Sequence, residues 1–506
     1  MITRRAFCAA PAVVSRGQGT KRPNLLFLMA DDHAGYVLGA DGDRQAATPN
    51  LDRLAGEGLR FSRHYCNSPV CTPSRQSLLT GQMPHSAGVT QLRTALSEEK
   101  PTLAKQLRAA GYQTAAFGKM HFNQPGRPGL HGFDVCMTED QMMKRWREAV
   151  KGGPLPEGVA TQQLPWQPFR TPAAQWLNAE KRPYPRVDSE MRGTFIAGQA
   201  CEYLEANAGK PFALWVSLHE PHSPFDFPVE DRGRFAAERF TAPRVGPEDG
   251  WQIPLIFRGL SDEQKRGIMA AYYTSAHFLD RNLGRVLGKL AELGLEEETL
   301  VVYTADHGYC LGHHGRFEKH CGYEPALRVP LLVRWPGRVK AGVVADFTEH
   351  VDVGPAVLEM LGAPALPVMH GQALTPYLRG GRVEKPRDHV FLEYQENEEV
   401  YIRDARWKFI YGSGKRRRMD GYETDNPTPG RYMRLFDLRA DPGEFRDVSA
   451  REGRVVERMM ARALGRFRGS HPDAGGEPGG LGAAEALDYY LRPRDNAPAA
   501  EAPARV

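Results

Sequence analysis

The chain has 506 residues, of which 41% are hydrophobic and 25% are charged, and this composition is typical of a globular protein. Its net charge of +5 is not gathered into a basic block, so a nucleic-acid partner is not expected, whereas a small anionic substrate is compatible. The sequence has no run of about 18 apolar residues, so we expect no membrane-spanning helix. Its seven cysteines include no CxxC pair and are too sparse for a disulfide framework.

The N-terminus, "MITRRAFCAAPAVVSRG", places Arg4 and Arg5 ahead of a short apolar stretch and small residues. This order resembles a twin-arginine export signal, and the alternative is a disordered basic tail. We assign residues 1–20 to an export signal or a disordered N-terminus. The signal predicts a periplasmic or extracellular location, and the cytoplasm stays open as the alternative.

Apolar runs of strand length alternate with helical patterns between residues 21 and 378. The strand-like runs are "PNLLFLMADDH" (23–33), "QTAAFGKMHF" (113–122), "PFALWVSLHEPHSP" (211–224), "TLVVYTADHG" (299–308) and "LRVPLLVRWPG" (327–337). The helical patterns cover 48–58, 101–112, 188–209, 261–295 and 352–362. Because the strands are almost continuously apolar, the sequence predicts an α/β fold with a large, mostly parallel central sheet flanked by helices on both faces.

The pattern changes after residue 378. Short aromatic and β-branched runs and a helical pattern at 451–469 predict a C-terminal α+β subdomain over 379–470, a small antiparallel sheet with a packed helix. Residues 471–506 are rich in Gly, Pro and Ala, which predicts a flexible tail. Two irregular inserts, 123–187 and 223–260, are long enough for a functional role to be expected.

Polar side chains follow four of the predicted strands: Asp31 and Asp32, Lys119 and His121, His219 and His222, and Asp306 and His307. Ligands of open α/β sheets bind outside the carboxyl ends of the strands, so we expect these groups to converge. Any one of these aspartates alone is better explained as a helix cap or an ion-pair partner. Together they predict a site for a hard divalent cation such as calcium or magnesium.

The stretch "NSPVCTPSRQSLLTG" (67–81) is typical of a helix start, with Pro73 in the first turn and Thr72 and Ser74 available as caps. Cys71 would lie at the N-terminus of this helix, where the dipole stabilises negative charge. A single cysteine is more often a core residue than a catalyst. Pro73 and Arg75 at fixed offsets favour a functional role.

The sequence Cys-Thr-Pro-Ser-Arg resembles the signature of type I sulfatases, the formylglycine-dependent members of the alkaline phosphatase superfamily. Further blocks that resemble the family follow in order: "PNLLFLMADD", "TPNLDRLAGEG", "GYQTAAFGKMHF", "EPHSP", "TADHG" and "EKHCGYEPALRVPLLV". They span about residues 23–335, and "RLFDLRADPGEFRDV" (434–448) resembles the C-terminal block. The resemblance implies a catalytic domain over 21–378.

The resemblance also implies roles for individual residues. One divalent cation, usually calcium and otherwise magnesium or manganese, would be bound by Asp31, Asp32, Cys71 after oxidation to Cα-formylglycine, Asp306 and His307. The remaining catalytic residues would be Arg75, Lys119, His121, His222 and Lys319. Many relatives have asparagine in place of His307, so the metal and some of the preference for sulfate over phosphate stay open.

The implied chemistry requires groups of these types. The cation, Arg75, Lys119 and Lys319 would neutralise charge on the sulfuryl oxygens. His222 would donate a proton to the leaving oxygen, with His219 in a structural role. The second hydroxyl of the aldehyde hydrate, deprotonated by His121, gives a route for sulfate release that a serine ester lacks.

We therefore expect hydrolysis of sulfate monoesters, with sulfated carbohydrates as the favoured substrates and a formylglycine-generating maturation enzyme as a partner. The first alternative is a phosphate or phosphonate ester hydrolase on the same scaffold. The second is a non-catalytic binder of sulfated glycans with an unmodified Cys71. His313, His314 and His320 could mimic a metal cluster, but a mobile loop that faces the substrate is the favoured interpretation.

Overall fold

The structure is a computed structural model that describes residues 22–162, 168–169, 171–250, 252–414, 421–424 and 430–495. The predicted N-terminal signal lies outside the described residues. The strands, in chain order, are β1 (Asn24–Ala30), β2 (Leu59–Phe61), β3 (His64–Tyr65), β4 (Gln113–Gly118), β5 (Val135–Thr138), β6 (Phe212–Ser217), β7 (Thr299–Ala305), β8 (Leu331–Arg334), β9 (Gly342–Val344), β10 (Thr348–Glu349), β11 (His389–Tyr394), β12 (Glu399–Asp404), β13 (Trp407–Gly412) and β14 (Tyr432–Asp437).

The helices lie between these strands and after them. In chain order they are α1 (Pro49–Glu57), α2 (Cys71–Thr80), α3 (Pro84–Ala87), α4 (Leu103–Ala109), α5 (Glu139–Ala149), α6 (Ala173–Trp176), α7 (Arg192–Asn207), α8 (Asp262–Glu292), α9 (Glu324–Leu327), α10 (His350–Met360), α11 (Thr375–Leu378), α12 (Gly453–Ser470) and α13 (Ala483–Tyr490). Within the described ranges, no helix is long and apolar enough to cross a membrane.

The central sheet has eight strands in the order β5-β4-β6-β1-β7-β8-β2-β9. Its pairings are parallel except those of β8, which runs antiparallel to β7 and to β2. The prediction of a large, mostly parallel sheet is confirmed. A parallel sheet of this kind needs cover on both faces, because its strands are apolar on both.

Two hydrophobic clusters cover the two faces of the sheet. Along β1, Leu26 and Leu28 pack into the cluster that contains residues of α7 and α8. The alternate residues, Leu25 and Phe27, pack into the cluster that contains residues of α2, α4 and α10. Successive side chains of a strand point to opposite faces, so a wholly apolar strand such as β1 is buried from both sides.

The parallel strands β4, β6, β1 and β7 are adjacent, and their registers bring their carboxyl ends level. Ala30 is paired with Ala305, and Gly118 with Ser217. The chain segments that follow these strands therefore leave the sheet along the same edge. The expected convergence of polar residues at this edge has its structural basis here.

The C-terminal sheet has four antiparallel strands in the order β11-β12-β13-β14, and α12 packs on it through Met459, Ala463 and Phe467. The prediction of a small antiparallel sheet with a packed helix is confirmed. The insert 123–187, expected to be irregular, contains β5, which adds an edge strand to the central sheet, and α5.

The predicted flexible tail from residue 471 is wrong for residues 471–495. Helix α13 lies in this segment, and its residues Ala486, Leu487 and Tyr490 are buried in the same cluster as α12. The rings of Phe467 and Tyr490 stack with centroids 5.2 Å apart. The Gly, Pro and Ala content indicated disorder, but helical spacing places enough apolar residues on one face of α13 to dock it. The residues after 495 lie outside the described part.

Glu324, the first residue of α9, joins the central domain to the C-terminal sheet. Its carboxylate accepts from the Tyr65 hydroxyl at 2.8 Å and from Lys408 Nζ on β13 at 2.9 Å, and Arg403 Nε lies 3.7 Å away. Burial raises the pKa of Glu324, but Lys408 and Arg403 outweigh it and hold the pKa at about 2. The Lys408 side chain is 0% exposed, so its ammonium group needs a negative partner such as this carboxylate.

The variant Glu324→Gln should lower the free energy of unfolding by about 2–3 kcal/mol at pH 7, because Lys408 loses its nearest negative partner. A carboxyl with a depressed folded pKa stabilises above its unfolded pKa of about 4.3 and loses that contribution as pH falls toward 2. The difference from wild type should therefore be constant near neutrality and narrow below about pH 4. Urea unfolding of both proteins at several pH values measures this difference in the free energy of unfolding.

The matched control is Glu57→Gln, which removes an ion pair with Arg334 whose glutamate side chain is 47% exposed. That change should lower stability by less than about 1 kcal/mol. Equal effects of the two substitutions at pH 7 would contradict the role given to Glu324.

Candidate active site

Arg75 holds together the carboxylates that end β1 and β7. Its Nη2 lies 3.2 Å from Asp31 Oδ2 and its Nε lies 2.9 Å from Asp306 Oδ2. The guanidinium is almost fully buried, and both aspartate side chains are completely buried. Charges so far from water need partners, and Arg75 is the partner common to both strand ends.

Cys71 begins helix α2, as predicted, and the helix ends at Gly81 in a left-handed conformation with φ 66°. The Sγ atom of Cys71 lies 3.1 Å from His307 Nε2 and 3.7 Å from Asp31 Oδ1. The expectation that Thr72 and Ser74 cap the helix is wrong, because their hydroxyls donate to the carbonyls of Leu92 and Asp306.

Cys71 is not prepared to act as a thiolate. Burial, and next the charge of Asp31, raise the pKa of its thiol well above the ordinary value. These two effects outweigh the charges of Lys319 and Lys119, which lower it. The environment therefore does not support an unmodified cysteine nucleophile.

Four buried side chains offer ligand atoms that all lie within 4.8 Å of one another: Asp31, Asp32, Cys71 and His307. Asp32 Oδ2 has no hydrogen-bond partner among the described residues. Burial, opposed by Lys319 and reinforced by Asp31 and Asp306, raises the pKa of Asp32 to about 8. Two adjacent buried carboxylates with an unsatisfied oxygen fit a hard divalent cation.

His307 presents a lone pair to this group. Its Nδ1 lies 3.1 Å from the carbonyl of Gly308, and because a carbonyl only accepts, Nδ1 carries the proton. Burial lowers the pKa of His307 to about 4, so the ring is neutral. A neutral imidazole with an unprotonated Nε2 is the form of histidine that binds metals.

Asp306, expected as a metal ligand, borders this group. Its Oδ1 accepts from the backbone amides of Asp32 and His307 at 3.1 and 2.9 Å. Its Oδ2 is paired with Arg75 and lies 3.5 Å from His307 Nε2. The carboxylate thus fixes the geometry of the neighbouring ligand residues, whatever else it binds.

Lys119 and Lys319 each reach one of the paired aspartates. Lys119 Nζ contacts Asp31 Oδ2, and Lys319 Nζ lies 2.8 Å from Asp32 Oδ1. Burial lowers the pKa of both lysines, but the aspartates outweigh it and the net shifts are upward. Both ammonium groups are therefore charged beside the Cys71 side chain, where an anionic substrate needs donors.

The two histidines after β6 face different partners. His222 Nδ1 donates to the carbonyl of Ser223 at 2.7 Å, and its Nε2 lies 3.9 Å from Asp32 Oδ2. The ring of His219 is centred 4.7 Å from that of His222, but its Nε2 lies 3.6 Å from Glu139 Oε1. His222 therefore lies beside the metal-ligand group, and His219 turns away from it toward Glu139.

His121 lies directly after β4 in a left-handed conformation with φ 52°, and its carbonyl accepts from the Gln76 amide at 3.1 Å.

Two supporting residues were not predicted. Ser217 Oγ accepts from Arg75 Nη1 at 2.7 Å and donates to the Lys119 carbonyl at 2.7 Å. The Tyr272 hydroxyl donates to the Asp32 carbonyl. Ser217 is the polar residue that ends the apolar run of β6, and this position in the sequence could have indicated its role.

The interpretation of His313, His314 and His320 as part of a mobile loop that faces the substrate is wrong for His314 and His320, which are buried. His314 stacks on Tyr323 with ring centroids 3.6 Å apart and pairs with Asp249 at 3.0 Å. Packing and ion pairing of this kind fix the loop. In the described part of the chain these histidines form no metal-ligand group.

The comparison with protein families decides what this site belongs to. The sulfatase family model matches residues 23–363, more than half of the chain. The chain belongs to the sulfatase family. A second model, for the C-terminal part of N-sulphoglucosamine sulphohydrolase, matches residues 312–468 of this sulfatase. The protein is therefore a sulfuric ester hydrolase of the alkaline phosphatase superfamily.

Relatives of this sulfatase match it over most of its length. Choline-sulfatase of Rhizobium meliloti is 27% identical, over 90% of this chain and 88% of that protein. N-acetylglucosamine-6-O-sulfatase of Bacteroides thetaiotaomicron is 25% identical, over 92% and 90%. The phosphonate monoester hydrolase of Agrobacterium radiobacter superposes with a TM-score of 0.73 at 25% identity, over 89% and 96%. These relatives are named for several different substrates, so family membership alone does not identify the substrate of this sulfatase.

A divalent cation should stabilise the sulfatase through Asp32, and calcium is the ion to test first. A hundredfold excess of calcium over its Kd should raise the free energy of unfolding by about 2.7 kcal/mol relative to EDTA. Asp32→Asn should lose this increase, because an amide is a weaker ligand than a carboxylate and carries no charge. Differential scanning calorimetry with calcium, magnesium or EDTA measures both effects. The control is Asp262→Asn, at a side chain that is 71% exposed, which should keep the wild-type response to the cation. A response of wild-type size in Asp32→Asn would contradict the assignment of Asp32 as a metal ligand.

Proposed function

We propose that the protein hydrolyses sulfate monoesters, foremost those of sulfated carbohydrates, after Cys71 has been converted into formylglycine. The observation that best supports this proposal is the position of Cys71. It is the first residue of α2, its thiol is held protonated, and it lies within one group with Asp31, Asp32 and His307. A cysteine in that position is poorly suited to act as it stands and well placed to be the precursor of another group.

Asp31, Asp32, His307 and residue 71 would hold one divalent cation, with Asp306 beside them. When bound, the cation and the formylglycine hydrate supply a hydroxyl nucleophile of lowered pKa and an electrophilic contact for the sulfuryl oxygens. Lys119 and Lys319 bind the remaining sulfuryl oxygens and neutralise the charge that grows on them. Arg75 orients Asp31 and Asp306 and holds their negative charges at fixed positions.

His222 is the general acid in this proposal. Its Nδ1 is committed to the Ser223 carbonyl, so Nε2 is the atom that faces the group formed by Asp32 and its neighbours. Burial, Lys319 and Lys119 lower the pKa of the ring, so Nε2 takes up its proton when the anionic substrate lies beside it and passes that proton to the leaving oxygen. His121 accepts the proton from the hydroxyl that remains, which releases sulfate.

Two further proposals rest on sequence features alone. The twin-arginine pattern near Arg4 and Arg5 supports export to the periplasm or beyond. The Cys71-Thr-Pro-Ser-Arg signature supports a formylglycine-generating enzyme as a maturation partner.

A phosphonate or phosphate ester hydrolase is the second candidate. The superposition on a phosphonate monoester hydrolase and an imidazole at His307 favour it, because a softer ligand changes the metal and the anion that it prefers. The shared scaffold would use the same residues on either ester.

Conversion of Cys71 can be read in a single tryptic peptide, residues 64–75, which also contains Cys66. After denaturation and alkylation, a converted chain should carry one label, on Cys66, and an unconverted chain two. Mass spectrometry of protein made with and without the maturation enzyme measures the fraction. Turnover should rise in proportion to that fraction, and Cys71→Ala should lose it at unchanged stability.

The outcomes separate the candidates. Protein that turns over sulfate esters with two labels in every chain would overturn the formylglycine mechanism. Protein that binds sulfated glycans without turnover, again with two labels, would be the non-catalytic binder. Much faster turnover of an aryl phosphate or phosphonate than of the matched aryl sulfate would favour the second candidate.

His222→Asn should slow hydrolysis most for poor leaving groups, by about 10²–10⁴-fold, and least for 4-nitrophenol, which needs little protonation. The measurement is kcat across phenyl sulfates of graded leaving-group pKa. His219→Asn is the matched control and should keep the wild-type slope, because its ring faces Glu139. A His222→Asn slope equal to the wild-type slope would rule out the general-acid role.

A further inference from the structure

Three partly exposed polar side chains form a cluster beside His222, which we call the rim cluster: Glu139, Arg192 and His219. They come from the first residue of α5, the first residue of α7 and the loop after β6. Glu139 Oε1 lies 3.7 Å from Arg192 Nη1 and 3.6 Å from His219 Nε2. The side chains are 27%, 16% and 13% exposed, respectively.

The rim cluster does not satisfy its own hydrogen-bonding capacity. Both distances exceed the range of about 2.7–3.2 Å for an N–H···O hydrogen bond. Arg192 Nη1 is 3.4 Å from the weak acceptor Met143 Sδ, and Arg192 Nη2 is buried with no hydrogen-bond partner among the described residues. A guanidinium has several donors in a fixed fork, so this one has capacity for a further acceptor.

Carboxylates behind Arg192 keep the guanidinium charged. Burial opposes its charge, but Glu139, Glu220 and Asp226 outweigh it and raise its pKa. Glu220 is buried, and neither of its carboxylate oxygens has a hydrogen-bond partner in the described ranges. A Cβ added at Gly193 would come within 2.8 Å of Glu220 Oε1, so the start of α7 is packed tightly against this carboxylate.

The rim cluster lies next to the group that would protonate the leaving oxygen. The ring of His219 is centred 4.7 Å from that of His222, and the charge of Glu139 acts on Lys119. If His222 faces the leaving oxygen, as the proposed function holds, the part of the substrate attached to that oxygen lies close to the rim cluster.

The chemistry of the rim cluster selects one kind of ligand group. Glu139 would repel a second anion, and Arg192 would repel a cation. An apolar group would bury the charges of both without hydrogen bonds. A hydroxyl can donate to the carboxylate and accept from the guanidinium or the imidazole, and two neighbouring hydroxyls can use all three side chains.

We propose that Glu139, Arg192 and His219 form a binding subsite for the hydroxyl groups of a sugar ring that lie next to its sulfated carbon. The proposal rests on the proposed function and names the substrate class, a sulfated monosaccharide or the sulfated terminal ring of a glycan. It makes Glu139 and Arg192 residues that determine specificity and that take no part in the chemical step.

The first experiment uses wild-type, formylglycine-containing protein with position-defined sulfated hexoses and hexosamines and with 4-nitrophenyl sulfate. For the best sugar sulfate, deoxy analogues that lack one hydroxyl beside the sulfate should lose about 10- to 100-fold in kcat/KM, because charged partners are left unpaired. This arm needs no variant and so does not depend on whether a variant folds.

The second experiment repeats the comparison with Glu139→Gln and Arg192→Met. Each should lose about 10- to 100-fold in kcat/KM on the sugar sulfate and stay within about threefold of wild type on 4-nitrophenyl sulfate, which has no hydroxyl. In each variant, kcat/KM for the deoxy analogue should then be little lower than kcat/KM for the parent sugar sulfate. A double-mutant cycle gives this result when the residue and the hydroxyl interact directly. Arg192→Lys should recover part of the loss.

Asp140→Asn, at the exposed neighbour of Glu139, is the matched control and should leave both substrates unchanged. Equal losses on sugar and aryl sulfates, or no loss with the deoxy analogues, would overturn the subsite. Wild-type protein that hydrolyses 4-nitrophenyl sulfate better than every sugar sulfate tested would overturn it while sulfate ester hydrolysis stands. Absence of any sulfate ester hydrolysis by converted protein would instead overturn the proposed function.

Discussion

The burial of three carboxylates at one edge of the sheet is the constraint on which the rest of the site depends. Asp31, Asp32 and Asp306 lie out of contact with water, where their mutual repulsion would be large. Arg75, Lys119 and Lys319 neutralise them in pairs. The balance is incomplete at Asp32, whose pKa is raised to about 8 and whose Oδ2 is unsatisfied among the described residues. A bound divalent cation would balance the remaining negative charge.

The same constraint explains why the candidate catalytic groups come from so many parts of the chain. Parallel strands can supply only the residues that follow their carboxyl ends, so the aspartates come from β1 and β7 and Lys119 comes from β4. Arg75 and Cys71 need a helix that points its N-terminus at this edge, and α2 supplies both from a single turn. Lys319 arrives on the loop between β7 and α9, which buried ion pairs such as that of Arg316 with Glu318 hold in place.

The site has two sides with different chemistry. The side of Lys119, Lys319 and Arg75 is cationic and suits the anionic head of an ester, whichever element carries the oxygens. The side of Glu139, Arg192 and His219 has both donors and acceptors and suits a polyhydroxylated leaving group. Family membership predicts the first side, since relatives with different substrate names share the scaffold. The second side is built from the starts of α5 and α7 and the loop after β6.

The sequence by itself determined the central and C-terminal sheets, because apolar runs of strand length can be buried only in a covered sheet and short aromatic runs fit an antiparallel one. It also determined the start of α2 at Cys71 and the convergence of Asp31, Lys119, His222 and Asp306, since those residues follow parallel strands. Only the tertiary structure decided which atoms meet: Asp306 faces Arg75, His219 turns to Glu139, and Ser217 supports Arg75. Such contacts join residues far apart in sequence and leave no local pattern. The docking of α13 was missed for a related reason, because a few apolar residues at helical spacing stabilise a segment only when a partner surface such as α12 is present.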